Sequence, residues 1–270
     1  MRRVRTPEIM DDPSVPREDL ALSLRYIRAV NRRLSGVAAL LDHLRTLARD
    51  PHFAWPADRP LTLLDIATGS ADLPIAALRW ARSAGLPLRI TGVDLHPTTL
   101  ELAREHIAEQ DRAHPPAVGE PSLAGSIELR QADALRLMDE FKPGSFDVVH
   151  AGLFLHHLSE LEILTVLRIM DRLATRAVVW NDLVRSRVGY GAIHLLTLGM
   201  PRIVRHDATV SVRAGFTKRE ALDLARRAGW TDPRHRWSLF THRFTILSTK
   251  PPPTPILSES ADASPTTPQG

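Results

Sequence analysis

Apolar residues in the first fifth of the chain return every three or four positions: Leu20, Leu24, Ile27, Val30, Leu34, Val37, Leu40, Leu41, Leu44 and Leu47. That period is helical, and the Ser35-Gly36 break divides it into two predicted helices between Arg17 and Asp50. Three prolines between Asp50 and Pro60 mark a connector. From Leu61 the pattern changes to short apolar runs that alternate with amphipathic stretches. Strands are expected at Leu61 to Ala67, Arg89 to Asp94, Ile127 to Gln131, Phe146 to Ala151 and Ala177 to Asp182, and helices at about Asp72 to Ser83, Pro97 to Ala113 and Glu160 to Ala174. Strands and helices in alternation predict a parallel sheet covered on both faces.

The alternation breaks between Leu183 and Phe216, where an arginine-flanked apolar segment is followed by Met200-Pro201 and a polar stretch. A connection this long is expected to be functional. A helix then starts at Thr217, with Glu220 as its capping-box partner and Gly229 as its stop. The runs Arg234 to Phe240 and Arg243 to Ser248 predict an antiparallel hairpin, and the proline-, serine- and threonine-rich residues 251–270 a disordered tail. The expected organisation is an N-terminal helical cap (1–55), a main domain (56–250) with a substrate-cap insertion at about 184–216, and the tail.

Composition narrows the chemistry. The chain has 270 residues and no cysteine, which excludes disulfides, thiolate zinc sites, iron–sulfur clusters and a cysteine nucleophile. Its basic N-terminus lacks the apolar core of a signal peptide, and no apolar stretch approaches the roughly 20 residues of a membrane span, so a cytoplasmic protein is expected. The net charge is +4, but Arg185 to Arg243 holds twelve Lys or Arg against four acids. Such a field suits an acidic substrate, nucleic acid or an anionic membrane surface as readily as a plain solvated face.

Ligands of open parallel sheets sit beyond the carboxyl ends of the strands. Four such ends carry candidate chemistry: Asp65-Ile66-Ala67-Thr68-Gly69-Ser70-Ala71-Asp72, where small residues admit a ligand to the backbone; Gly92-Val93-Asp94-Leu95, whose carboxylate can accept from both hydroxyls of a ribose; Gln131-Ala132-Asp133-Ala134; and Phe146-Asp147-Val148-Val149-His150-Ala151-Gly152, followed by Leu155-His156-His157. Asp72 reads as a helix N-cap and Asp147 as structural, at the strand end away from the site. The G-x-G-x-x-G fingerprint of dinucleotide binding is absent, and Asp65 would repel a pyrophosphate.

These four ordered motifs resemble the class I S-adenosylmethionine-dependent methyltransferases over about Leu61 to Thr249. The resemblance implies a Rossmann-like α/β fold: a seven-stranded, mostly parallel sheet with a C-terminal antiparallel hairpin, plus the N-terminal helical cap. It implies S-adenosylmethionine as cofactor, held by Asp65, Ala67, Thr68, Gly69, Ser70, Asp94, Leu95, Ala132, Asp133, Ala134 and Gly152. The sequence departs from the family in carrying Ala67 and Ala71 where glycines are usual, and alanine does not adopt positive φ comfortably. A narrower similarity is to methyltransferases of bacterial secondary metabolism with polyketide or quinone-like products.

For the acceptor, His157 and His156 are candidate bases, and Asn181, Asp182, Tyr190, His194 and His206 candidate substrate contacts, with His206-Asp207 and Ser211 forming a polar gate. The N-terminal helices and the Tyr190 to Met200 segment are expected to roof the acceptor pocket. No metal ligand set is expected. The expected reaction is methyl transfer to oxygen or carbon of a small hydrophobic acceptor, phenolic, polyketide or quinone-like. The alternatives are a nucleic-acid or protein methyltransferase and a non-catalytic scaffold that keeps the fold. Peripheral membrane contact is a further expectation, from the arginines flanking the apolar insertion; nucleic acid is disfavoured because no aromatic stacking platform accompanies them.

Overall fold

The computed structural model describes residues 1–33, 36–51, 53, 55–238 and 242–250. An extended segment with one 3-10 turn at Ile9–Asp11 leads into helices α1 (Arg17–Arg33) and α2 (Gly36–Arg49). Strands and helices then alternate: β1 (Leu61–Ile66), α3 (Asp72–Ser83), β2 (Leu88–Asp94), α4 (Pro97–Ala113), the short α5 (Leu123–Ser126), β3 (Ile127–Gln131), the short α6 (Leu137–Glu140), β4 (Phe146–Gly152), a 3-10 turn at Leu155–His157, α7 (Glu160–Leu173) and β5 (Ala174–Leu183). The chain continues through α8 (Arg187–Leu196), α9 (Arg202–Ala214), α10 (Lys218–Arg227), β6 (Arg234–Ser238) and β7 (Arg243–Thr249).

The strands form one seven-stranded sheet in the order β3-β2-β1-β4-β5-β7-β6, parallel from β3 to β5, with β7 antiparallel to both β5 and β6. Strand β4 is buried at its first six positions, as strands covered on both faces are. Because successive side chains point to opposite faces, Leu64, Ile66 and Val149 join α7 and α10 in one core, while Leu63 and Ile90 join α2 and α3 in the other. Helix α2 is therefore part of the sheet's cover, with Leu40, Leu44 and Leu47 buried beside α3. The strand order reverses between β1 and β4, and the crevice above their carboxyl ends is where such sheets bind ligands.

Local signals explain several boundaries. Thr217 and Glu220 form the expected capping box, and Ser159 with Glu162 forms a second one. Gly229, at φ 99°, stops α10 in the left-handed region that glycine enters freely. Asp147 is structural: it accepts from both terminal nitrogens of Arg59 at 2.6 and 2.7 Å, from Arg176 at 3.0 Å and from the Thr62 amide at 2.9 Å. Burial opposes its charge, but the bonds from Arg59 and Thr62 outweigh burial and hold its pKa at about 2. The 184–216 region, read in sequence as an apolar segment and a polar loop, is two helices, α8 and α9. The expected disordered tail lies outside the described residues. Among the described residues no helix is long and apolar enough to cross a membrane.

Candidate functional site

A cavity of about 440 Å³ opens above the carboxyl ends of β1, β2 and β4. Every residue expected at the cofactor lines it: Asp65, Ala67, Thr68, Gly69, Ser70, Asp94, Leu95, Ala132, Asp133, Ala134 and Gly152. They reach it because parallel strands deliver their C-terminal turns to one edge of the sheet.

The loop between β1 and α3 winds through three positive-φ residues, Ala67 (55°), Gly69 (54°) and Ala71 (57°). The expectation that the alanines would avoid this region is thus corrected: both occupy it, at a cost of roughly 1–2 kcal/mol each. The fold holds them there through the Thr68 amide, which donates to the Val93 carbonyl at 2.9 Å, and the Ala71 amide, which donates to the Thr68 carbonyl at 2.9 Å. Asp65 accepts from Thr68 Oγ1 at 2.7 Å and from His150 Nδ1 at 2.6 Å, so both its oxygens are engaged. Asp72 is not the N-cap. Ala71 holds that position without a side-chain cap, while the Asp72 carboxylate accepts from Asn31 Nδ2 of α1 at 2.8 Å. Asp94 accepts from the Gly69 amide at 3.0 Å and the His96 amide at 3.1 Å. Burial pushes the carboxyls of Asp72 and Asp94 above the usual range.

The other end of the cavity is built from three parts of the chain. The turn after β4 supplies His156 and His157, the N-terminal strap Glu8, Met10 and Asp11, and α9 Val204, Asp207, Ala208 and Ser211, while α1 adds Leu24, Tyr26 and Ile27 to the lining, with Leu24 against Gly69. Arg3 pins the strap by donating to the carbonyls of His156 (3.0 Å), Leu158 (2.9 Å) and Ala214 (2.8 Å). Asp207 accepts from the amides of Ile9 (2.7 Å) and Met10 (3.1 Å).

His156 Nδ1 lies 2.7 Å from Asp182 and its Nε2 3.4 Å from Glu8. Burial works against its charge, but Asp182 and Glu8 prevail and push its pKa up to about 10, so at neutral pH it is an imidazolium. A general base must be able to accept a proton, which rules His156 out of that role in this state. His157 is partly exposed; its Nδ1 lies 2.7 Å from Asp11 and its Nε2 3.8 Å from Glu8.

Five candidate substrate contacts are not among the cavity-lining residues. Asn181 and Asp182 are fully buried, with Asp182 behind His156. Tyr190 and His194 pack edge-on against each other on α8, and His206 sits beside Asp207 at 2.9 Å. Of the expected polar gate, Asp207 and Ser211 do line the cavity. The roof over the acceptor end is α1, α9 and the strap rather than α8. Glu8 and Asp11 gave no signal in the sequence, because they lie in a polar segment roughly 150 residues from the histidines they meet.

Among the described residues seven carboxylates line the cavity (Glu8, Asp11, Asp65, Asp72, Asp94, Asp133 and Asp207), and no arginine or lysine does. In a chain with 35 basic residues this lining favours a cationic ligand over an acidic one. The arginine excess of the C-terminal half therefore does not belong to this site.

Residues 64–176 match the family model described as "Methyltransferase domain". No curated protein shows a match. Among solved structures, the chain is similar to an O-methyltransferase family protein from Burkholderia thailandensis (20% identity, 81% of this chain and 58% of that one, TM-score 0.54). It is similar to PigF with S-adenosylhomocysteine (20%, 86% and 59%, 0.55) and to magnesium protoporphyrin IX methyltransferase from Synechocystis PCC 6803 with bound S-adenosylhomocysteine (12%, 82% and 83%, 0.50). At these identities the likeness establishes the fold. The chain spans about three fifths of the length of the O-methyltransferases it matches.

Proposed function

From the match of residues 64–176 to a methyltransferase domain, we propose that the protein is a class I, S-adenosylmethionine-dependent methyltransferase that transfers a methyl group to a hydroxyl of a small, largely apolar acceptor. The observation that carries this reading is the cavity lined, among the described residues, by seven carboxylates and neither arginine nor lysine. S-adenosylmethionine fits it, since its amine and sulfonium are cationic. When bound, it supplies an electrophilic methyl group.

The chain's residues divide the work. Asp94, already turned toward the cavity by the Gly69 and His96 amides, accepts from the ribose hydroxyls. Asp133, with Ala132 and Ala134 beside it, faces the adenine, and Asp65 and Asp72 favour the cationic end. Thr68, Gly69 and Ser70 bring the backbone close to the ligand. At the far end Met10, Phe154 and Val204 form apolar wall for the acceptor, and the strap, α1 and α9 keep water out. The cluster of Glu8 and His157 is the polar contact for the acceptor's hydroxyl, which favours oxygen over carbon. A roofed cavity also argues against a nucleic-acid or protein acceptor, whose target must reach in from a large surface.

Calorimetric titration with S-adenosylmethionine, and separately with NADH, tests the reading. Micromolar affinity for the first and none for the second is expected. Tight binding of NADH, or of neither, overturns it and favours the scaffold alternative.

One exposed surface supports membrane contact as a second reading. Val188, Leu195, Leu196, Leu198 and Met200 project from α8 and the turn after it, with Arg187, Arg202 and Arg205 alongside. Apolar and basic residues together suit the surface of an anionic bilayer. Co-sedimentation with phosphatidylserine vesicles but not phosphatidylcholine vesicles is expected; no sedimentation with either counts against it.

A further inference from the structure

We propose that Glu8, His156 and His157 bind one divalent first-row transition-metal ion, such as Zn²⁺, Mn²⁺ or Fe²⁺, at the acceptor end of the cavity. One donor atom from each lies within 4.8 Å of the other two. The spacings from Glu8 Oε1 are 3.4 Å to His156 Nε2 and 3.8 Å to His157 Nε2. Ligands held about 2.0–2.2 Å from one ion sit about 3.0–3.5 Å apart, so the two spacings from Glu8 need only a small contraction.

The second observation is independent of those distances. Each histidine gives its far nitrogen, Nδ1, to a carboxylate at 2.7 Å: His156 to Asp182 and His157 to Asp11. A carboxylate behind each imidazole accepts from Nδ1–H and aims Nε2 at the shared point, as metal-binding histidines require, and the arriving ion displaces the Nε2 proton of the His156 imidazolium. The surroundings also want positive charge. Glu8, Asp11 and Asp182 gather around the two histidines, while Arg3 and Arg5 spend hydrogen bonds on the backbone carbonyls of residues 156–158.

Two imidazoles and one carboxylate select a transition ion over Mg²⁺ or Ca²⁺, which prefer oxygen throughout. All three ligands line the cavity, so the remaining coordination positions face the ligand space, as in a catalytic rather than a structural site. Resting on the methyltransferase reading, the acceptor that suits this site has a hydroxyl beside a second oxygen, so that both can ligate the ion. No spacing in the sequence pointed here, because Glu8 precedes the histidines by about 150 residues.

The test uses the tag-free full chain, stripped with a chelator, dialysed and titrated with Co²⁺ and then Zn²⁺. Calorimetry and the visible Co²⁺ absorption are the readouts, and S-adenosylmethionine is titrated into the same preparations. One ion per chain is expected, with micromolar or tighter affinity. Glu8→Gln and His157→Ala should each abolish the Co²⁺ spectrum, and Asp11→Asn should weaken binding about 10- to 100-fold. Circular dichroism must show each variant folded; should His157→Ala unfold, Glu8→Gln and Asp11→Asn decide. Absence of Co²⁺ and Zn²⁺ binding at millimolar concentration, or binding equal in Glu8→Gln and the parent, overturns the site and leaves a hydrogen-bonded network. S-adenosylmethionine binding that survives that failure keeps the methyltransferase reading; its loss with metal binding intact rejects that reading alone. Catechol, as a probe of adjacent oxygens, should shift the Co²⁺ spectrum; no shift removes only the acceptor class.

Discussion

Replacing Ala67 by glycine should stabilise the protein, and the same change at Ala71 should not. Both alanines hold left-handed backbone, φ 55° and 57°, which costs a residue with a Cβ about 1–2 kcal/mol. Glycine removes that cost but loses about 0.4–1 kcal/mol through the greater freedom of the unfolded chain. At Ala67, half-buried on the cavity wall, little apolar area is lost. The balance is a gain of about 0.5–1 kcal/mol, or roughly 1–4 °C in Tm for a chain of this size. At Ala71 the methyl is fully buried, and removing it forfeits a further ~0.8 kcal/mol, which brings the balance close to zero. Urea unfolding of the parent and both variants, followed by tryptophan fluorescence, measures the difference. If Ala67→Gly lowers stability by 0.5 kcal/mol or more, the strain argument is wrong.

Three other substitutions probe separate links. Asp94→Ala should weaken S-adenosylmethionine about 10- to 100-fold by calorimetry, since hydrogen bonds to a charged group contribute about 1.5–3 kcal/mol; unchanged affinity would misplace the ribose. Asp147→Asn should cost about 2 kcal/mol at pH 7, from a pKa held near 2 against an ordinary 3.8. A depressed carboxyl stabilises above its unfolded pKa and stops doing so as pH falls through the folded one. The gap between parent and variant should therefore close between about pH 4 and pH 2, and a gap that persists at acid pH would contradict the ion-pair account. Thr217→Ala should lose about 1 kcal/mol by thermal or urea unfolding as the α10 cap is removed; a loss below 0.3 kcal/mol would show the cap to be idle.

The fold was legible wherever period and punctuation agree. The leucines of α1 and α2, the apolar runs of β1 to β5 and the Thr217/Glu220 box all act within a few residues, and the structure places these elements within a few residues of the expected bounds. The residues expected at the cofactor line the cavity for the same reason, since each follows directly on its strand. Asp72 misled because an aspartate before a helix usually caps it, whereas here a side chain from α1, Asn31, takes the carboxylate. The insertion misled because arginines and Met200-Pro201 mask two amphipathic helices. At the acceptor end His156, His157, Asp207 and Ser211 were legible but the strap was not: Glu8 and Asp11 matter only through Ser211, His156 and His157, and no local pattern encodes a meeting between segments so far apart in the chain.

That meeting has a consequence for the order in which the molecule is made. Glu8 reaches Ser211 across 203 positions and Arg3 reaches His156 across 153. These are among the highest contact-order pairings of the chain, and each closes a loop as long as most domains. A ribosome releases residues 3–11 some 200 residues before their partners on α9, so the strap must wait, undocked, until the sheet and its helices are in place. Its hold rests on a handful of hydrogen bonds with little apolar burial, the kind of segment that opens without global unfolding. The acceptor end is accordingly the last region to assemble, and a nascent or partly unfolded protein can have a finished cofactor cradle before it has anywhere to put an acceptor.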